Sequence, residues 1–198
     1  MSRSHPIGIL PLAFAKAVRD LSTFPWDSPI KITEREPPGK IAPYAAVIDA
    51  EVILASEEIA SGRLILLHDP QGNEAWEGEF RCVTFAQAEV GSETIHDPFL
   101  AHVGWSWLID ALQTNGAHYS NECGTITTTA STPFGTKEQE ASTTSIEIRA
   151  SWTPVLDLDD SFTEHLKAWQ TLLREVAGLP PEDHPTVVPM ATARMGRR

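Results

Sequence analysis

Hydrophobic and polar positions alternate with two different periods along this chain, and the switches between them lay out its elements. Residues 10–21 place Leu10, Phe14, Ala17, Val18 and Leu21 on one face at 3.6-residue spacing, with Lys16, Arg19 and Asp20 away from it. That predicts an amphipathic first helix, stopped by Pro25. The segment 33–43 is charged and broken by three prolines, which predicts a loop. Three strands are expected next. Tyr44–Leu54 is the first, although its alanines would also suit a helix. Gly62–His68 carries Leu64, Ile65, Leu66 and Leu67 in succession, the run of a strand covered on both faces or at a sheet centre. Phe80–Glu89 is the third. Between the last two, Asp69-Pro70-Gln71-Gly72 has turn chemistry, and the connection is long enough to protrude around Trp76.

A second helix is expected over residues 97–115, with Asp97 as cap, Pro98 in the first turn and Asn115-Gly116 as its end. Leu100, Val103, Trp107, Leu108 and Ala111 form one apolar face. Ala101, Trp105, Ile109 and Leu112 widen it to about two-thirds of the circumference, leaving His102, Ser106, Asp110 and Gln113 as the polar strip. Such a helix must be covered on two sides: by the sheet, and by another helix, a ligand or a second subunit.

Gly124–Ser131 and Ser145–Trp152 are two more strands. The second alternates cleanly, with Ile146, Ile148, Ala150 and Trp152 opposite Glu147, Arg149 and Ser151. Thr132–Ser145 is expected as an exposed loop. The last helix opens on Ser161-x-x-Glu164, a capping box, carries Phe162, Leu166, Trp169, Leu172, Leu173 and Val176 as its stripe, and closes at Gly178. The order α-β-β-β-α-β-β-α predicts an α+β domain with an antiparallel sheet. The whole chain, 1–198, is read as one domain with its core over about 7–178 and a flexible tail from 179.

Composition changes this picture little. At 198 residues, 41% apolar and 21% charged, the chain is an ordinary globule with a real core. Charge changes it more. The formal net charge is −12, and several arginines lie in the expected tails, so the body repels nucleic-acid phosphates and anionic lipid. No apolar run reaches the ~20 residues that span a bilayer, and the first residues lack a signal-peptide core. The expected place is the cytoplasm, without a membrane or nucleic-acid partner. Cys82 and Cys123 lie in no CxxC pair and read as structural thiols rather than a bridge or a reactive group.

Candidate chemistry is sparse. Seven histidines (5, 68, 96, 102, 118, 165 and 184) show no metal-ligand spacing, so neither a metal nor another cofactor is expected. Phosphate-cradling glycine motifs are missing, Ser106 lies in no nucleophile elbow, and the acidic stretch Asp69–Glu79 lacks the alternating ligands of a calcium loop. His68 and Asp69 could serve as a base with its orienting carboxylate, but neighbours in an extended chain point oppositely. Trp76, in a polar loop bounded by glycines, either folds back or anchors a partner.

Three stretches are distinctive as text: His68-Asp-Pro-Gln-Gly-Asn-Glu-Ala-Trp-Glu-Gly-Glu-Phe-Arg-Cys-Val-Thr-Phe85, then Asp97-Pro98 with Val103-Gly-Trp-Ser-Trp-Leu108, and Glu147-Ile-Arg-Ala-Ser-Trp-Thr-Pro154. Over about residues 40–180 the chain resembles the actinobacterial family known as domain of unknown function 3000. The resemblance implies a cytoplasmic actinobacterial protein, with no activity or catalytic residues to carry over; members tend to be encoded near a ribonuclease D-like protein. The element order is also similar to that of type III secretion chaperones, small acidic proteins that commonly dimerise and bind partner segments.

The leading expectation is a non-enzymatic binding or chaperone-like adaptor, a homodimer with a protein partner. Trp76, Trp105, Ile109 and Leu112 are its interaction surface, and no residue is catalytic. The alternative is a small-molecule enzyme with a pocket between sheet and helix, using His68, Asp69 or His102. A third reading is an RNA-processing accessory protein.

Overall fold

A computed structural model describes residues 10–39, 41–90, 98–156 and 161–180. In chain order the elements are α1 (Leu12–Thr23), β1 (Ile30–Arg35), β2 (Tyr44–Leu54), β3 (Glu57–Asn73), β4 (Gly78–Val90), α2 (Leu100–Thr114), β5 (Tyr119–Ser131), β6 (Thr143–Pro154) and α3 (Thr163–Val176). The strands form one antiparallel sheet in the order β1-β2-β3-β4-β6-β5. The expected α+β architecture is present, with one strand more than the sequence pattern indicated.

That strand is β1. Thr33–Arg35, expected in a loop, instead continues a six-residue strand beside β2. Ile30 and Ile32 pair with Val52 and Ala50 and turn toward the core, while the charged neighbours mask this period-two signal in the sequence. A second difference lies at Asp69–Gly72. The chain does not turn there; β3 runs on to Asn73, and the reversal comes at Glu74–Glu77. Pro70 has no N–H for the ladder, and pairing accordingly jumps from His68↔Phe80 to Asn73↔Gly78. Asn73 Oδ1 accepts from Ala75 N at 2.9 Å and opens the actual turn.

All three described helices lie on one face of the sheet. The row Ile48, Leu64, Leu66, Cys82, Ile146, Ile148 and Trp152 is buried there against Phe14, Leu21, Leu108, Leu112, Trp169 and Leu172. Close approach depends on two glycines. A Cβ on Gly62 would stand 2.5 Å from Leu173 Cδ2, and one on Gly104 would stand 2.7 Å from Ile146 Cδ1. The first lets α3 sit directly on β3; the second lets α2 lie against β6. Trp169 Nε1 donates to Thr84 Oγ1 at 2.8 Å, which satisfies both polar groups beneath α3.

The start of α3 departs from the expected capping box. Ser161 Oγ accepts from Thr163 N at 3.1 Å, but Asp20 of α1, rather than Glu164, completes the arrangement by taking Phe162 N at 3.0 Å. A carboxylate beside a helix start is favourable, and here it also ties two helices together. Asp97, the expected cap of α2, lies outside the described residues, as does the tail from 181.

His165 on α3 is buried and accepts a hydrogen bond from Trp152 Nε1 at its Nδ1, 3.2 Å away. Burial, with a smaller electrostatic contribution from the His118 side, lowers its pKa from 6.5 to about 4. The unfolded chain therefore takes up this proton first. The neutral form stabilises the fold fully above about pH 6.5, and this stability is lost as the pH falls toward 4, to the extent of about 3 kcal/mol. Urea unfolding at pH 7, 6 and 5 is expected to show that decline. His165→Gln, which keeps an acceptor for the indole but cannot titrate, is expected to flatten it.

Candidate functional site: the uncovered face of the sheet

The face of the sheet opposite the helices carries its side chains in rows across the strands, and two rows differ sharply in chemistry. In one, Asp49, Arg63, Phe85, Arg149 and Thr125 are successive cross-strand neighbours. In the next, Val47, Ile65, Val83, Ser151 and Cys123 follow in the same way. Ile65, Val83 and Phe85 are half-buried although no described helix covers them. With Arg63, Arg149, Cys123, Thr125 and Ser151 they line an open cleft of about 560 Å³. Among the described residues no carboxylate lines it, on a chain whose net charge is −12.

The two arginines are held from the side. Arg63 donates Nε to Asp49 Oδ1 at 2.6 Å and Nη2 to Oδ2 at 3.0 Å, and Arg35 Nε adds a bond to Asp49 Oδ2 at 3.0 Å. The hydrogen bond from Arg63, joined by that from Arg35 and by both charges, keeps the Asp49 carboxyl below its ordinary pKa despite some desolvation. Arg149 Nε meets Glu147 Oε1 at 2.8 Å, and its Cζ stands 5.9 Å from the centroid of Phe85. Tethered this way, each guanidinium keeps an edge for an incoming acceptor.

Beside the apolar row lies Arg81, only 6% exposed. Its Nη1 donates to Asn121 O at 2.7 Å and Thr153 Oγ1 at 2.9 Å; its Nη2 donates to Ser151 Oγ at 2.7 Å and Cys123 Sγ at 3.2 Å. Among the described residues no carboxylate pairs with it, so neutral acceptors alone stabilise a buried cation. Thr153 Oγ1 in turn donates to Trp76 O, and Asn121 Nδ2 donates to Ala75 O at 3.3 Å. One guanidinium thus organises β5, β6 and the turn that carries Trp76. Lys offers one nitrogen where Arg81 uses two, so Arg81→Lys is expected to cost about 2 kcal/mol of stability, read as a drop in the urea midpoint.

The expected site residues are spread out. Trp76 is half-buried in its turn. Trp105 and Ile109 are half-buried on α2, and Trp105 packs on the core. Leu112, expected on an exposed flank, is fully buried and belongs to no surface. The second cover that α2 requires comes largely from α3 of the same chain, with Asn115 Nδ2 donating to Thr171 Oγ1 at 3.1 Å across the contact.

His68, Asp69 and His102 do not converge. His68 is on the helix-facing side of β3, 1% exposed, with ring centroids of Phe80 at 4.2 Å, Phe14 at 5.7 Å and Tyr44 at 6.0 Å. Burial pushes its pKa down, against a weaker pull from Glu79 and Asp69, and neither ring nitrogen has a well-placed hydrogen-bond partner. Asp69 accepts from Gln71 N at 3.1 Å. His102 is exposed on α2, which lies over β5 and β6. A neutral ring with idle nitrogens in an aromatic cage is a core residue, so His68→Phe is expected to hold or raise the melting temperature. A fall of several degrees would show that those nitrogens have a role.

The cysteines are divided by the sheet. Cys82 is fully buried on the helix side, where burial raises its pKa well above the usual thiol value; Cys123 is exposed on the other side, and both are free.

The chain belongs to the family described as "Protein of unknown function (DUF3000)", whose model matches residues 10–187. No curated protein and no solved structure matches it. Membership of DUF3000 thus brings a family without an activity, and the site must be read from its own geometry. Sequence reasoning missed the open face, although the signal was there: Arg81, Val83 and Phe85 alternate with Cys82, Thr84 and Ala86, and Arg63 and Ile65 alternate with Leu64 and Leu66.

Proposed function

We propose that this DUF3000 protein is a binding or adaptor protein whose working surface is the open sheet face. The observation that carries this reading is the cleft at Phe85, an apolar strip between Arg63 and Arg149 with no acidic residue among the described residues of its lining, on a strongly acidic chain. Exposed apolar area rimmed by guanidinium groups fits a protein segment that brings an aromatic or aliphatic anchor together with carboxylates. The same cleft gives little support to catalysis. Among the described residues Cys123 is the one thiol lining it and no histidine or carboxylate stands there as a base, and the groups of the enzymatic alternative are scattered.

A fluorescent peptide alternating Glu with Phe, compared with its Lys–Phe counterpart, tests the reading directly. The acidic peptide is expected to bind the full chain at least about ten-fold more tightly than the basic one, as charge complementarity at a desolvated rim requires. The double variant Phe85→Ser/Arg149→Ser, both outside the helix-facing core, is expected to abolish that preference without changing the circular dichroism spectrum. Equal binding of the two peptides, or full binding by the variant, would end this assignment.

A further inference from the structure

The two edges of the sheet are built very differently. β1 is six residues long and carries Lys31, Glu34 and Arg35, so charge and brevity guard its unpaired backbone. β5 is thirteen residues long and, among the described residues, pairs only with β6. From Cys123 to Thr136 no residue is charged, and Pro133 comes only after the strand ends at Ser131. Gly124-Thr-Ile-Thr-Thr-Thr-Ala-Ser131 is rich in β-branched threonine and exposed at every position but Ile126. The register shift in this strand falls between Ser120 and Cys123, which leaves the rest straight. Phe134, just beyond it, is 80% exposed. Residues 124–131 thus carry no charge, no proline and no register shift, and among the described residues no further strand pairs with them.

We infer that β5 is a docking edge for a second copy of this chain, the two β5 strands pairing antiparallel about a two-fold axis. Charge selects that occupant. Two bodies of net charge −12 repel, and contact costs least where both surfaces are neutral. The neutral edge of one copy meets the identical neutral edge of the other, an isologous contact that closes after two chains. Backbone groups supply the bonds, as in strand addition generally. The open faces of both copies then lie on one side of a continuous sheet. The pairing does not depend on what the cleft binds.

Sedimentation equilibrium of the full chain at micromolar concentration is expected to give twice 21.7 kDa. Thr127→Lys/Thr129→Lys places charges on exposed side chains of the face away from the helices. It is expected to weaken association at least about ten-fold, by like charges meeting across the axis, with an unchanged circular dichroism spectrum. Single cysteines introduced at positions 125–130 in a Cys123→Ser background locate the axis, because only residues beside it cross-link to themselves. A monomer, a dimer indifferent to the lysines, or one without any β5 cross-link that dissociates on Ile109→Glu, overturns the inference.

Discussion

The contact of α3 with the centre of the sheet is the constraint on which the other arrangements rest. Gly62 gives the room, Leu173 and Trp169 fill it, and Trp169 donates its indole proton to Thr84 at 2.8 Å. α3 then serves as the wall against which the remaining helices are set. α2 leans on it through Asn115 and Thr171. The segment after α1 is fixed to it by reciprocal bonds, Asp27 N to Gln170 Oε1 at 2.9 Å and Gln170 Nε2 to Asp27 Oδ2 at 2.8 Å. With all three helices drawn to one side, the opposite face keeps its side chains accessible. Antiparallel sheets tolerate this because each strand alternates between the two faces.

Much of this was legible in the sequence, and the failures have specific causes. The wide apolar girth of α2 correctly required two covers. The helical wheel gives the width of that girth but not the direction from which a second helix arrives, so Leu112 was placed on a surface when it is sealed in the core. β1 was hidden because three of its six residues are charged, and an edge strand needs only Ile30 and Ile32 to hold the core. Asp69-Pro70 looks like a turn because proline presets φ. In the structure its missing N–H marks an interruption within one long strand instead.

Arg81 could not have been found by pattern. In period-two text it is simply the polar partner of Cys82. Its burial follows from acceptors that lie 40 to 72 residues away and reach it only when β5 and β6 are in register. The arginines of the cleft were obscured in another way. Their carboxylate partners Asp49 and Glu147 make them look like ordinary surface pairs worth little to stability. What distinguishes them is position: they border Phe85 from either side, and the side chains between them carry no negative charge.

This distribution of charge is at odds with solubility alone as the reason for an acidic chain. If negative charge served only to keep copies apart, it would be spread over every exposed surface, including the long edge and the open face. Instead the fourteen residues from Cys123 to Thr136 are neutral, and the cleft beside them has arginines without carboxylates in its lining. The two regions adjoin, since Cys123 and Thr125 belong to both, and Arg81 fastens Cys123 to the turn that bears Trp76 by way of Thr153. The least repulsive part of the molecule is thus continuous, and it is anchored to the core by one buried guanidinium. An acidic body around a neutral edge and an arginine-rimmed cleft directs approach to that side.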